Sequence, residues 1–363
     1  FYYYGHDQRS FFNESDSTGA LPGNDPFGTT TEIDGAKIGN ITQVDYYSSE
    51  RNYIIAGADV QIDAVESAPD SVMYGNHQIN NMAVFVQDEI DITSSVSATV
   101  GGRYDWNHLV GHRTLESFSP KLALVWSPVS PLSLRGLYGR AFRAPTIAEL
   151  FFQKEIAGGI DFVPNPDLSP ERMNLSLEAG LRWNPWSHTV LDAALFRYEY
   201  EDMIYWEDVA DEVGVTYPLY QVRNLNSAVM QGTEITVQTG WRDHVRASAN
   251  YTYLDAQDRS PNRTDDVLAY RPKHSVNLAL DLNWRRAFFH VDARYRSAID
   301  EVFLYPLQAP DAFWVTNTNA RYQLTERTLL TLTVNNAFDT QYEELARYRM
   351  PGRNVIVGLS FRI

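Results

Sequence analysis

The sequence contains no cysteine and no apolar run approaching the roughly 20 residues a membrane-spanning helix needs. The first absence removes disulfides, thiolate metal sites and cysteine nucleophiles, and by itself leaves the compartment unsettled. The second, with a mean hydropathy of −0.35, excludes a bundle of membrane helices. A basic excess is missing as well. Thirty Lys and Arg face 46 Asp and Glu, for a net charge of −16, so nucleic acid is not an expected partner, because phosphate binding wants a basic stripe. No Ser-His-Asp constellation, glycine-rich phosphate loop or paired-carboxylate spacing stands out, and no enzyme activity is expected. A leader is also missing. Phe1-Tyr2-Tyr3-Tyr4 reads as the middle of a strand, so the chain is expected to be a piece whose beginning lies elsewhere.

What the chain has in quantity is aromatic residues, 13% of the total with 22 Tyr and 8 Trp, which favours strands and interfacial belts. It also has alternation. In the last residues Val355, Val357, Leu359, Phe361 and Ile363 share one face, while Asn354, Gly358, Ser360 and Arg362 share the other, with Ile356 the one apolar exception. Leu175, Leu177, Ala179, Leu181 and Trp183 alternate with polar residues in the same way, as do Val276 to Trp284 and Phe289 to Tyr295. The apolar face often ends in Trp or Tyr, as in the aromatic girdle of a membrane barrel. Lipid covers such a face, and closure of a barrel removes the open edge that would invite aggregation.

Alternating runs between Pro, Gly, Asn, Asp and Ser clusters number roughly sixteen. They fall near 1–10, 38–47, 52–64, 77–91, 95–107, 118–127, 132–143, 171–183, 188–202, 220–239, 244–256, 269–284, 288–300, 313–324, 328–338 and 351–363. Their connections alternate in length. Short turns at 91–94, 128–131, 184–187, 242–243, 285–286 and 325–327 interleave with long loops at 11–37, 65–76, 108–117, 144–170, 203–219, 257–268, 301–312 and 339–350. All short turns are therefore expected at one end of the sheet and all long loops at the other, which a soluble sandwich has no reason to obey. The expected fold is all-β, an antiparallel transmembrane β-barrel.

Two segments carry a more specific signal. The first is Gly139-Arg140-Ala141-Phe142-Arg143-Ala144-Pro145, followed by Asn165-Pro166-Asp167-Leu168-Ser169-Pro170-Glu171. The second is Asn335-Asn336-Ala337-Phe338-Asp339-Thr340-Gln341-Tyr342, followed by Pro351-Gly352-Arg353 and the last strand. Both resemble motifs of the TonB-dependent receptors of Gram-negative outer membranes, a FRAP…NPxLxPE pair and a closing NLFDxxY…PGR block. The resemblance implies that 1–363 is the C-terminal part of one barrel of about 22 strands, with the first strands, the plug and the TonB-contacting N-terminal segment outside this chain. It departs from the family at Ile363, where an aromatic usually ends the chain. It implies a cell outer membrane location with lipid and lipopolysaccharide as surroundings. It further implies high-affinity uptake of a scarce nutrient, foremost a ferric siderophore, energised by the TonB–ExbB–ExbD complex, with no resident cofactor. Cobalamin or haem receptors of the same family, and a sixteen-stranded passive porin, are the alternatives; a barrel for surface adhesion or phage docking would rest on the long loops alone.

Candidate site residues follow from chemistry. Pro145 lacks an amide hydrogen and ends ladder pairing, Phe142 suits an interfacial anchor, and Arg143 shares the polar register with Arg135. Phe151, Phe152, Tyr205, Trp206, Phe303, Tyr305, Arg347, Tyr348 and Arg349 fall in long loops, where aromatic faces and guanidinium groups suit a flat, anionic iron chelate. His108 and His112 are the one close His pair and weak candidates for metal or haem iron. Haem receptors of the family place a His between the FRAP and NPxL motifs, and none stands between Pro145 and Asn165. Asp255, Asp258, Asp265 and Asp266 match no known calcium-loop spacing and read as solvated loop or as a loop bridged by divalent ions to lipopolysaccharide, and the acidic stretch Glu207, Asp208, Asp211 and Glu212 reads the same way.

Overall fold

The computed structural model describes residues 2–11, 30–68, 73–156, 160–261, 266–302 and 306–362. Gly159, Asn262, Arg263, Asp265, Phe303, Tyr305 and Ile363 lie outside the described residues. Sixteen strands are long: β1 Tyr2–Phe11, β2 Thr30–Ser49, β3 Asn52–Ala68, β4 His77–Thr93, β5 Val96–Leu109, β6 Thr114–Val129, β7 Leu132–Arg143, β10 Glu171–Trp186, β11 Thr189–Asp208, β12 Leu219–Trp241, β13 Val245–Asp258, β14 His274–Trp284, β15 Ala287–Arg296, β16 Phe313–Thr325, β17 Thr328–Asn335 and β20 Asn354–Phe361. Each overlaps one of the sixteen alternating segments, but β2 begins at Thr30 instead of 38, β3 runs to Ala68 instead of 64 and β11 runs to Asp208 instead of 202, so parts of the expected loops 11–37, 65–76 and 203–219 are strand, continued by ladder pairing with their neighbours. Four short strands, β8 Lys154–Ile156, β9 Ile160–Val163, β18 Glu343–Leu345 and β19 Tyr348–Arg349, and two short helices, α1 Ile147–Phe151 and α2 Ala210–Val213, form inside segments read from sequence as loops. Eighteen strands share one sheet, and β18 and β19 form a separate hairpin.

The chain divides into two compact units. The first comprises Phe1–Ala123, Tyr138–Leu175 and Tyr200–Ser227; the second comprises Leu124–Leu137, Ser176–Glu199 and Ala228–Ile363.

In the second unit β12 to β17 pair with their chain neighbours and β17 pairs with β20, all antiparallel. Opposed residues share a face, so one row across the sheet reads Trp241, Val245, Leu282, Phe289, Ala320, Leu332 and Val357. The row above it, on the opposite face, reads Arg246, Asp281, His290, Asn319, Thr333 and Ile356. The apolar rows stand bare: Leu177, Leu332 and Leu359 are 43%, 41% and 53% exposed. Exposure of a whole apolar face is uncovered in water and satisfied in lipid. Trp314 and Tyr322 stand on that face of β16, both exposed. About 27 Å of strand separates them, which a tilt of roughly 40° brings to about 21 Å, close to the apolar band of a membrane barrel.

The short turns of this unit lie together. Asn184 N donates to Pro131 O, Gly240 N to His188 O, Asn283 N to His244 O, Gln323 N to Arg286 O and Arg362 N to Arg327 O. Asn184, Asp243 and Glu326 thus share one end of these strands, and antiparallel order puts Asp258 at the end of β13, Arg296 at the end of β15 and Asn335 at the end of β17 at the other. Arg285 has φ +53° in the two-residue turn between Trp284 and Ala287, the left-handed conformation that tight hairpins demand.

In the first unit β1 to β5 pair in sequence, antiparallel throughout. Asn40, Val60, Met82 and Trp106 make one row, and Thr42, Ala58, Val84 and Tyr104 the next on the same face. The opposite face carries Gln61, Asn81 and Asn107, with Asp59 and Asp105 in the row beside them. There Arg103 bridges Asp105 at 2.7 Å and Asp59 at 3.2 Å, and Lys37 meets Asp63 at 3.4 Å.

Strand ends differ from the sequence reading where a local bond captures the backbone. Tyr270, with φ +59°, donates its amide to Glu301 O, which keeps 269–273 out of β14. Asn336, with φ +48°, stops β17 short of 338.

The register predicts that Leu280→Arg, on the apolar face, costs about 2–4 kcal/mol of folding free energy in a bilayer refolding assay, whereas Asn277→Arg on the polar face costs little. Equal penalties would contradict the register.

Candidate functional site

The FRAP segment ends β7 and starts α1. Thr146 caps α1 through a capping box, its hydroxyl accepting from Glu149 N at 3.2 Å while Glu149 Oε2 accepts from Thr146 N at 2.9 Å. The same Glu149 carboxylate accepts twice from Arg143 Nη1, at 2.9 Å each. Arg143 Nη2 reaches Glu171 Oε2 at 3.1 Å, and that oxygen also accepts from Ile204 N of β11 at 3.1 Å. Arg143 is therefore a brace between β7, α1, β10 and β11, held by two carboxylates. Phe142 lies under Arg172, whose guanidinium carbon is 5.9 Å from the ring centroid.

The NPxLxPE segment is tied down just as closely. Asn165 N donates to Leu150 O at 2.9 Å and Asn165 Nδ2 to Val222 O at 2.8 Å. Its Oδ1 accepts from Asp167 N at 3.3 Å across Pro166, forming an Asx turn. Asn224 exchanges hydrogen bonds with the Ser169 backbone, at 2.8 Å and 3.0 Å. Leu168 is completely buried, and its carbonyl accepts from the Arg113 guanidinium. Ile79, Leu109, Ile147, Leu150, Leu168 and Val222 form a small hydrophobic core beneath this loop. A cleft of about 540 Å³ opens between the Phe142–Ala148 segment and the polar face of β2 to β5, where Lys37, Asp59, Asp63 and Arg103 line it.

Aromatic side chains gather on that core. Phe152 lies 5.6 Å from Tyr74, 5.3 Å from Phe162 and 6.3 Å from Trp206, measured between ring centroids. Phe162 meets Trp206 edge-on at 5.4 Å and Tyr220 at 5.8 Å. Phe151 stacks on His77 at 3.4 Å and lies 5.8 Å from His112. Nearby, Arg223 pairs with Glu212 at 2.8 Å and Glu207 at 3.7 Å, and the hydrogen-bonded guanidinium holds the Glu212 carboxyl below its ordinary range. Tyr205 follows Ile204 on β11 and is half-buried.

In the second unit the closing motif is a hydrogen-bonded knot. Asn336, 3% exposed, accepts from Thr340 N at 2.8 Å and donates to Thr340 O at 2.9 Å and Pro351 O at 3.1 Å. Asp339 Oδ1 accepts from Arg353 N at 2.7 Å. A Cβ at position 352 would come within 2.8 Å of that oxygen, which is why Gly352 stands between Pro351 and Arg353. Tyr348 at the β18–β19 hairpin is 71% exposed, and Arg347 turns the hairpin with φ +65° while Glu343 accepts its amide at 2.8 Å. Arg349 lies opposite Glu343 in the hairpin.

A family model for the TonB-dependent receptor-like β-barrel matches residues 1–337. The chain belongs to this family. An iron-regulated outer membrane virulence protein of Vibrio cholerae serotype O1 is 27% identical over 330 residues, covering 84% of this chain and 48% of that protein. A vitamin B12 transporter of Vibrio vulnificus is 26% identical over 319 residues, covering 85% and 47%. A variant of the ferric enterobactin receptor of Pseudomonas aeruginosa, solved in complex with enterobactin, matches with a TM-score of 0.76 at 18% identity, over 99% of this chain and 59% of that one. The chain spans about half the length of the curated relatives it matches.

This TonB-dependent receptor chain is thus an antiparallel transmembrane β-barrel portion located in the outer membrane, with relatives that are receptors and transporters rather than enzymes. Phe152 meets Trp206, and Phe151 and Trp206 pack on the same small core. Arg347, Tyr348 and Arg349 belong to the other unit. His108 does not pair with His112: its Nδ1 meets Thr114 Oγ1 at 2.9 Å, and the ring near His112 is that of His77, at 6.2 Å. Among the described residues no group of three or more His, Cys, Asp or Glu is arranged to hold a metal. Sequence reasoning missed Tyr74, His77, Phe162 and Tyr220, which reach the cluster through cross-strand neighbours that no spacing reveals.

Arg143→Gln and Glu171→Gln should each loosen the rim by about 1–2 kcal/mol, a value discounted for partial exposure. Limited proteolysis would detect this as faster cleavage within 144–170, with the strands still resistant. Asn336→Ala leaves a buried amide and two carbonyls unpaired and should cost about 1–3 kcal/mol in bilayer refolding.

Proposed function

We propose that this chain supplies the C-terminal wall and much of the mouth of a receptor for energised, high-affinity uptake of a scarce nutrient, and that the nutrient is a ferric siderophore. The family match over residues 1–337 carries the reading. The iron-regulated relative and the fold neighbour solved with enterobactin support iron chelates as the cargo class. The aromatic cluster over a rigid core supports it chemically, since ring faces stack on flat chelating groups. In this reading 1–363 is one part of a single barrel domain. A plug and an N-terminal segment outside the chain meet the TonB–ExbB–ExbD complex and open the path, because a wall that holds its strands in a fixed ladder transduces no energy itself. The vitamin B12 transporter relative favours cobalamin as the second reading.

Competition binding to the intact receptor separates them. Radiolabelled ferric siderophores should bind and be displaced by one another but not by cobalamin or haem. Trp206→Ala should weaken that binding at least about tenfold, a loss of one stacking platform and its apolar area. Displacement by cobalamin alone would replace the siderophore assignment.

A further inference from the structure

In the first unit Arg103 on the polar face is paired with Asp59 and Asp105, and Arg143 at the rim with Glu149 and Glu171. Arg140 and Arg172 stand apart from this pattern. Arg140 Nη2 donates to Asn174 Oδ1 at 3.1 Å, and the Arg172 guanidinium lies over the Phe142 ring. Neither forms an ion pair among the described residues. Alternation puts Arg140 and Phe142 on the face of β7 opposite to that of Arg143, and Arg172 and Asn174 on the face of β10 opposite to that of Glu171.

A cleft of about 430 Å³ gathers Arg140, Arg172 and Asn174 with Tyr104, Glu116 and Phe118. Tyr104 fixes the side of the sheet on which it opens. It pairs with the exposed Val84 in the ladder of β4 and β5, on the apolar face. The Tyr104 hydroxyl donates to Glu116 Oε2 at 2.9 Å. The Phe118 ring covers Gly102 on that same face, where a Cβ would come within 2.8 Å of it. The height of the cleft follows from the strand ends. β5 ends at Leu109, β6 begins at Thr114, β7 ends at Arg143 and β10 begins at Glu171, so the cleft lies at the end that carries the 144–170 loop. The exposed Phe118, Leu122 and Tyr138 continue the face away from that loop. Long loops of a membrane barrel face the outside of the cell, which sets Arg140 and Arg172 level with the headgroups of the outer leaflet.

A guanidinium on a lipid-covered face keeps its charge by reaching water or an anion. Two guanidinium groups against one carboxylate leave this cleft with one net positive charge, and the arginine fork matches phosphate oxygens bidentately. Glu116 and the Asn174 amide add an acceptor and a donor of the kind that hold sugar hydroxyls. We propose that the cleft binds a phosphorylated glycolipid of the outer leaflet. Arg140 and Arg172 hold its phosphate, Glu116 and Asn174 its sugar, and Phe118, Leu122 and Tyr138 line the path of its acyl chains. The lipid bridges β7 and β10 on their outer face, as Arg143 and Glu171 bridge them on the other. The site does not depend on which cargo the receptor carries.

The test is titration of the intact, purified and delipidated receptor in detergent, with bound lipid counted by native mass spectrometry. The probes are bisphosphorylated hexa-acylated lipid A, the same lipid stripped of both phosphates, and inorganic phosphate as a competitor. The wild-type receptor should hold a first bisphosphorylated lipid at least about tenfold tighter than the stripped one, and equimolar inorganic phosphate should not displace it. The double variant Arg140→Gln, Arg172→Gln should lose at least about tenfold in that affinity. Arg242→Gln with Arg285→Gln removes the same charge from the short-turn end and should stay within about twofold. Equal binding of the two lipids by the wild-type receptor overturns the phosphate site, a result that needs no variant to fold. Equal losses in the two double variants reduce the effect to bulk charge and overturn it too. Displacement by equimolar inorganic phosphate marks an ion site and overturns the lipid.

Discussion

Every peptide group that enters lipid must find its hydrogen-bond partner in a neighbouring strand, since nothing else there can offer one. That requirement organises the rest of this chain. It forces long antiparallel ladders, such as the fourteen residue pairs between β12 and β13, and the ladders in turn fix which side chains share a row. Once the rows are fixed, a single choice of register sends Leu282, Phe289 and Leu332 to one face and Asp281, His290 and Thr333 to the other. The apolar face is then matched to the membrane and the polar face is left to satisfy itself.

The polar face does so largely along the strand. Residues two apart point the same way, and several form direct pairs: Gln61 with Asp63 at 2.6 Å, Gln87 with Glu89 at 2.9 Å, Arg103 with Asp105 at 2.7 Å, Arg197 with Glu199 at 2.7 Å, Arg321 with Asn319 at 2.9 Å. Cross-strand contacts complete the net, as where Arg135 spans Glu178 and Asp192. A Cβ at Gly180 would come within 2.6 Å of that guanidinium, so the glycine makes room for the arginine to cross. These partly exposed pairs contribute little each to stability. Their consequence is a wall in which these charges meet partners within the sheet.

Much of this was legible before any coordinates. Period-two alternation located all sixteen long strands, and the rhythm of short and long connections gave their antiparallel order. Strand ends were not legible where a single residue turned the backbone, as at Asn336 and Tyr270, because a positive φ in a non-glycine residue leaves no composition signal. The loops read as irregular hold α1, β8, β9 and the β18–β19 hairpin, elements too short for a periodic pattern to register. The site was half legible. Phe152 and Trp206 were found because they are aromatic and fall in segments read as loops, although Trp206 lies on β11, while Phe162 and Tyr220 needed the parallel pairing of β9 with β12 to bring them together. Arg143 was singled out for its charge and its place in the motif, whereas its partners Glu149 and Glu171 were not legible, since spacing does not tell which carboxylates fold back onto a guanidinium.

That brace has a consequence for mutation. Arg143, Glu149 and Glu171 hold the rim together through bonds to one another. The scaffold of the mouth is thereby uncoupled from its chemistry. Residues beside the brace, such as Trp206 on β11 or the exposed Asp211, make none of its bonds, and replacing them leaves those bonds in place. A substitution in the aromatic cluster can then alter what the cluster touches without loosening the motif that frames it.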